Sequence, residues 1–190
     1  VSLIHEAILT TATAEGATHI APLGFRRESE WIVLAPFHPS RTLDNLRATG
    51  RAALNHTDDV RVFAGCLTGR RDWPLVPCEI IACGRLRDAL AHVELEVARV
   101  EEDAVRPRFL CREIGTFNHA PFPGHNRAQA AVIEACILVS RLGMLPADKI
   151  DRELAYLQIA VDKTAGPRER EAWGWLADKI AAHRAASHAA

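Results

Sequence analysis

The chain has 190 residues, of which 48% are apolar and 25% charged, and a formal net charge of -1. That length suits one large domain, or a domain with an appended segment, around a core that needs no disulfide or metal staple. The near-neutral balance argues against nucleic acid as a partner, because binding a phosphate backbone rests on a basic surface; no apolar run reaches the roughly 18 residues of a membrane span.

The elements follow in chain order. Residues 2–11 alternate, with Ile4, Glu6 and Ile8 against Leu3, Ala7 and Leu9, as a strand requires. This start lacks a basic region and a small-residue cleavage site, so it reads as structure and not as a signal peptide. Glu15-Gly16 turns the chain, and residues 18–27 return as a second strand whose Pro22 marks an edge or a bulge. A third strand is expected over 30–36, a short helix over 40–49 ending at Gly50, and a fourth strand over 51–56. Residues 58–69 read as a helical turn or short helix, and 70–79 as a loop broken by Pro74 and Pro77.

Residues 91–100 alternate cleanly, Val93, Leu95 and Val97 against His92, Glu94 and Glu96. Glu101-Glu102-Asp103 turns the chain, and 104–112 returns with Val105, Phe109 and Cys111 opposite Arg106, Arg108 and Arg112. Acids on one strand facing arginines on the next read as a solvated sheet face. Residues 116–126 form a Pro/Gly loop. Three helices are expected after it, the first from Arg127 to Leu142, the second opened by Pro146, the third following Gly166-Pro167 and fraying over the last residues, AASHAA. Strands first and helices last give an α+β layout, divided as a barrel or sheet over 1–116 and a helical segment over 117–190.

Few motifs carry chemistry. The five cysteines, Cys66, Cys78, Cys83, Cys111 and Cys136, are odd in number and irregularly spaced, which reads as core thiols in a reducing, cytoplasmic compartment. None of the nine histidines sits in an HExxH pattern, and Cys78 and Cys83 are loosely spaced for zinc with no second pair, so no metal is expected. No nucleophile elbow, GxGxxG or P-loop occurs. What remains is Pro36–Thr42, a corner that feeds a helix between two buried strands. Ser40 or Arg41 can cap that helix, and its first amides, the Thr42 hydroxyl and the Arg41 guanidinium form an anion site on physical grounds. The same residues also fit a plain surface cap.

Three stretches, taken together, resemble a known family. IVLAPFHPSRTLDNLRATGRAALNHTDDVRVF looks like the FMN-binding stretch of split-barrel flavoproteins, in which a strand leads into an S-x-T-x-x-N-L helix, a glycine and a strand ending in Asn. AILTTATAEGATHIAPLGF resembles their first hairpin, and GHNRAQAAVIEACILVSRL a helix that follows in one group of them. That group is a domain-of-unknown-function family found in methanogenic archaea and methylotrophic bacteria. The resemblance implies a split β-barrel of the flavin reductase-like kind with a C-terminal three-helix segment, a homodimer, and FMN near the subunit interface. On that analogy Ser40, Arg41, Thr42 and Asn45 hold the phosphate and ribityl chain. Asn55, Thr57 and Asp58 approach the ring or the ribityl hydroxyls, and Asn126 and Arg127 reach toward the partner subunit's flavin. The implied activity is oxidation or reduction of a small molecule, beside pterin-linked one-carbon metabolism. The alternative is a flavin- or pterin-binding module without turnover.

Individual residues also have structural readings. Asn55 can satisfy a strand end, Asp58 or Asp59 can cap the next helix, Arg127 can pair with Glu134, and one of Trp173 and Trp175 can pack while the other stacks on a ligand.

Overall fold

The computed structural model describes residues 3–188, leaving out the side chain of His188. Ser2 and Ala189-Ala190, counted above in the first strand and the last residues, lie outside the described residues. The elements are β1 (His5–Ala12), β2 (Thr18–Glu28), β3 (Trp31–Leu34), α1 (Arg41–Thr49), β4 (Arg51–His56), α2 (Val60–Thr68), β5 (Leu75–Pro77), β6 (Gly84–Leu86), β7 (Ala91–Glu101), β8 (Arg108–Asn118), α3 (Arg127–Val139), α4 (Ala147–Thr164) and α5 (Pro167–His188).

The chain divides into two compact units. One holds the chain up to Thr57 together with Trp73–Phe122; the other holds Asp58–Asp72 and the chain from Pro123 on. The chain passes into the second unit over Asp58–Asp72, where α2 packs with α3 and α5, and again from Pro123.

In the first unit six antiparallel strands close into a barrel in the order β1-β2-β3-β8-β7-β4. The seam is the pairing of Ile8, Leu9 and Thr10 with Asn55, Leu54 and Ala53. Alternation sorts the side chains. Ala7, Leu9, Phe25, Ile32, Leu34, Ala52, Leu54, Val93, Leu95, Phe109 and Cys111 fill the interior, and Leu43 and Leu46 of α1 join them. Pro22 lies in the part of β2 that pairs with β1 alone, since β3 reaches only Phe25–Glu28, which is the edge setting that a strand proline tolerates.

The return strand differs from expectation. β8 starts at Arg108, not at 104, and runs on to Asn118 in place of a loop from 116. Asp103 is the cause. Its carboxylate accepts the N–H of Val105 and of Arg106, which fixes residues 102–107 as a connection. Arg106 is drawn out of the ladder and donates twice to the Ala35 carbonyl, at 3.0 and 2.8 Å. The cross-strand charge pairing survives in Arg108, which bonds Glu101 and Glu28 at 2.6 Å each. The stretch read as a loop at 70–79 contributes β5, which pairs with β6 as a separate two-stranded sheet.

In the second unit α3 packs with α4 and α5, around Ala128, Ala131 and Val161. Trp173 packs there and donates to Gln158 at 2.8 Å, while the Trp175 ring is covered by the Arg70 guanidinium at 4.4 Å. Asp59, not Asp58, caps α2 by accepting the Arg61 N–H. Arg127 and Glu134 are both exposed and form no pair with each other. The helix expected to fray over its end continues to His188. No helix among the described residues is long and apolar enough to cross a membrane.

α1 is bounded as its sequence dictates. Ser40 is the N-cap, its hydroxyl accepting the Leu43 N–H at 3.3 Å, and Gly50 ends the helix at a left-handed φ of 64° with its N–H on the Leu46 carbonyl. Ser40→Ala is expected to lower the stability of the flavin-free protein by about 1 kcal/mol; urea melts of the two forms measure it.

Candidate functional site

Two side-chain arrangements in the first unit stand out. The first is the start of α1. Its approach is held by the His38 N–H donating to the Val105 carbonyl and by Arg106, which bonds Ala35 and lies 4.2 Å from the centre of the Phe37 ring. Past that corner, Ser40 spends its hydroxyl lone pairs on Leu43 and its carbonyl on Asp44. The amides of Arg41 and Thr42 have no partner among the described residues, as the first amides of a helix do not. Thr42 is 5% exposed, and its hydroxyl bonds nothing among the described residues. Arg41 is exposed and likewise unpaired there. The Thr42 hydroxyl, two amides and a guanidinium thus have donors unspent at the positive end of a helix dipole.

Asn45, one turn on, is buried and donates to the Thr11 hydroxyl at 3.0 Å. Thr11 neighbours Thr10, whose side chain points to the opposite side of β1 and accepts from Asn55 at 3.1 Å. The two threonines tie α1 to one face of β1 and β4 to the other. Asn55 makes four bonds in this region. Its amide nitrogen donates to Ile8, Thr10 and Ala53, and its oxygen accepts the Leu86 N–H at 2.7 Å. One of these bonds, from the Leu86 N–H, ties Asn55 to the cover over β4, and the others hold it to β1 and to its own strand. Thr57 ends the first stretch of the first unit, and Asp58 begins the second unit with no side-chain partner among the described residues. Asn126 caps α3, accepting from Ala128 and Gln129 and donating to the Thr164 carbonyl. Arg127 beside it is exposed.

The second arrangement lies on the outer side of the barrel, where His92 and Glu94 were expected to face solvent. Both are 0% exposed. The segment through β5 and β6 covers them, placing Ile81 and Cys83 against Ala12 and Ala53. Glu94 receives three backbone N–H groups from that cover, Glu79 and Ile81 at 2.7 Å and Ile80 at 3.0 Å. Burial alone raises its pKa, but the N–H groups of Ile81 and Glu79, the His92 ring and the Ile80 N–H together outweigh burial and hold it below the usual carboxylate value. His92 Nε2 lies 3.2 Å from Glu94 and 2.9 Å from Glu79, while its Nδ1 meets His119 Nε2 at 2.9 Å. The His92 ring stacks on Phe117 and on His119. Burial, then the Arg85 and His92 charges, lowers the pKa of exposed His119. Cys78 lies beside this group, its pKa held up by a hydrogen bond with the Cys83 thiol and by burial. Sequence reading missed the cluster because its signal is only an alternate-position His-x-Glu, indistinguishable from a wet strand face.

Two family models match the chain. One, described as "Protein of unknown function (DUF447) N-terminal domain", covers residues 5–119, and one described as "Protein of unknown function (DUF447)" covers 126–178. Among solved structures, an FMN-bound protein from Methanosarcina mazei carrying the same family description is 20% identical with a TM-score of 0.80, over 94% of this chain and 96% of that one. The 2-nitrobenzoate 2-nitroreductase of Pseudomonas fluorescens is 20% identical with a TM-score of 0.53, over 63% and 66% of the two chains. Flavoredoxin from Methanosarcina acetivorans is 12% identical with a TM-score of 0.52, over 61% and 69%. At these identities the likeness is one of fold, and it bears out the split barrel with three C-terminal helices. Comparison with curated proteins returned no match.

Asn55→Ala strands the Leu86 N–H and removes the contact with Thr10, so it is expected to cost roughly 1–3 kcal/mol in the flavin-free protein. Thermal unfolding without ligand checks this; an unchanged midpoint would mean that the cover over β4 does not depend on Asn55.

Proposed function

The chain belongs to the DUF447 family, and from that premise we propose that it is a cytoplasmic, homodimeric FMN-dependent oxidoreductase acting on a small molecule. The observation that carries the reading is the set of unspent donors at the start of α1, in a chain whose family relative from Methanosarcina mazei is FMN-bound. A phosphate monoester dianion fits that donor set. It needs several donors converging from one side and gains from a helix N-terminus. The Thr42 hydroxyl and the amides of Arg41 and Thr42 supply neutral donors, and the Arg41 guanidinium supplies charge.

FMN, when bound, supplies reversible electron transfer through its ring. The chain's own residues supply position. Thr11 holds Asn45 by its amide nitrogen, which leaves the Asn45 oxygen to accept from a ribityl hydroxyl. Ser40 keeps its O–H to donate after capping the helix. Thr57 and Asp58 keep the role toward the ring or ribityl hydroxyls, and Arg127 the role toward the partner subunit's flavin. Asn126 orients the helix on which Arg127 stands. The nitroreductase among the similar folds supports redox work on a small substrate as the class of reaction. Exposed Tyr156 and Ile159, three residues apart on α4, give that helix an apolar stretch that association of two copies would cover.

Three outcomes are expected. The purified protein should carry a yellow chromophore that bleaches on reduction and recovers when a substrate is added; recovery with dioxygen alone would leave a binding module in place of an enzyme. FMN should bind more tightly than riboflavin, and Thr42→Ala should weaken FMN by roughly ten- to a hundredfold, the loss of a charge-assisted bond of about 1.5–3 kcal/mol. Equal affinity for FMN and riboflavin by fluorescence titration would overturn the phosphate assignment. Light scattering should return twice the 20.9 kDa chain mass.

A further inference from the structure

The cluster beneath the β5–β6 cover has a composition that flavin chemistry does not require. Ligand atoms of Cys78, His92 and Glu94 all lie within 4.8 Å of one another, and Glu79 Oε2 stands 2.9 Å from the same His92 Nε2. We infer that Cys78, His92 and Glu94 form a binding site for a divalent transition-metal cation, with zinc as its natural occupant, and that the exposed Glu79 side chain, grouped in this structure with His92 and His119, swings in to complete it.

The donor set points to that class. One sulfur, one imidazole nitrogen and two carboxylate oxygens suit zinc, and the sulfur disfavours magnesium and calcium, which take oxygen ligands. The spacing around His92 fits as well. Zinc bonds of about 2.0–2.3 Å place tetrahedral ligand atoms roughly 3.2–3.8 Å apart. The gaps from His92 Nε2 to Glu94 and Glu79, 3.2 and 2.9 Å, need to open by only a few tenths of an ångström. His92 is already oriented. His119 meets Nδ1 and two ring stacks fix the plane, so Nε2 is the atom aimed at the carboxylates. A partner on the far ring nitrogen is the usual support of a metal-bound histidine. Glu94 is fixed by its three amides before any cation arrives.

Charge closes too. Cys78 gives up its thiol proton to solvent on binding, and the His92 tautomer that binds keeps its proton on Nδ1, where His119 accepts the hydrogen bond. Two carboxylates and a thiolate then face the cation and the Arg85 guanidinium, which bonds the other Glu79 oxygen at 3.4 Å. Entry is open, because Glu79 and His119 are exposed while His92 and Glu94 are not. Four protein ligands leave no open position, so the site is structural: it clips the cover to β7.

The test uses the full chain without an affinity tag, stripped by chelator and titrated with Co2+ and with Zn2+. The expected result is one equivalent bound, with cobalt ligand-field bands of four-coordinate strength in the red, clear of flavin absorption, and a higher melting temperature with zinc. Substituting the buried histidine risks the fold, so the informative variants are Cys78→Ser and Glu79→Gln, at a half-buried and an exposed position. Cys78→Ser should abolish the thiolate–cobalt charge-transfer band, and each variant should weaken zinc roughly 10–100-fold or more. Absence of stoichiometric uptake, or a cobalt spectrum indifferent to Cys78→Ser, would overturn the inference. The assay needs no flavin, so its outcome is separate from that of the FMN assignment.

Discussion

A carboxylate with no solvent contact is the constraint on which much of the first unit depends. Burying an ionised group is costly unless fixed dipoles replace the water it loses. Glu94 meets that requirement with the amides of three consecutive residues, Glu79, Ile80 and Ile81. The arrangement works in both directions. The carboxylate needs the loop to stay closed, and the loop needs the carboxylate to satisfy amides that no strand partner can reach. Through that exchange the segment around β5 and β6 becomes part of the barrel's outer layer. Asn55 does the same for the Leu86 N–H and Thr18 for the Gly84 N–H, so the cover is held at several points by side chains that rise from β2, β4 and β7.

How much of this could be read from the sequence follows from how local each determinant is. α1 was legible in detail because its cap, its amphipathic face and its terminal glycine all lie within eleven residues. The interior of the barrel was legible because alternation survives burial on one side. The fate of the other side was not. Whether His92 and Glu94 meet water is decided by residues 79–81, which lie over a dozen positions upstream and carry no hydrophobic periodicity that would announce a lid. The start of β8 failed for a related reason. Alternation around Val105 and Arg106 suits a strand, but the Asp103 carboxylate and the Ala35 carbonyl claim the backbone and side chain of those residues first. The candidate phosphate site was visible as a motif, whereas the commitment of Asn55 to the cover was visible only once β5–β6 had a place. α2 was read as a helix, but nothing in its sequence says which helices it joins.

The paired threonines of β1 carry a consequence for how the gene can vary. Thr10 and Thr11 look interchangeable, yet one bonds Asn55 on the outer face and the other Asn45 on the inner. Inserting or deleting a single residue upstream within β1 would turn every side chain of the strand over, and the polar groups would trade compartments with Leu9 and Ala12. Substitution can be absorbed at many places along this strand, but a change of length cannot. The turn through Glu15-Gly16, closed by backbone bonds between Thr13, Gly16 and Ala17, lies beyond both threonines and leaves their register alone. Among descendants of this chain, length variation should accumulate at that turn while β1 keeps a fixed count.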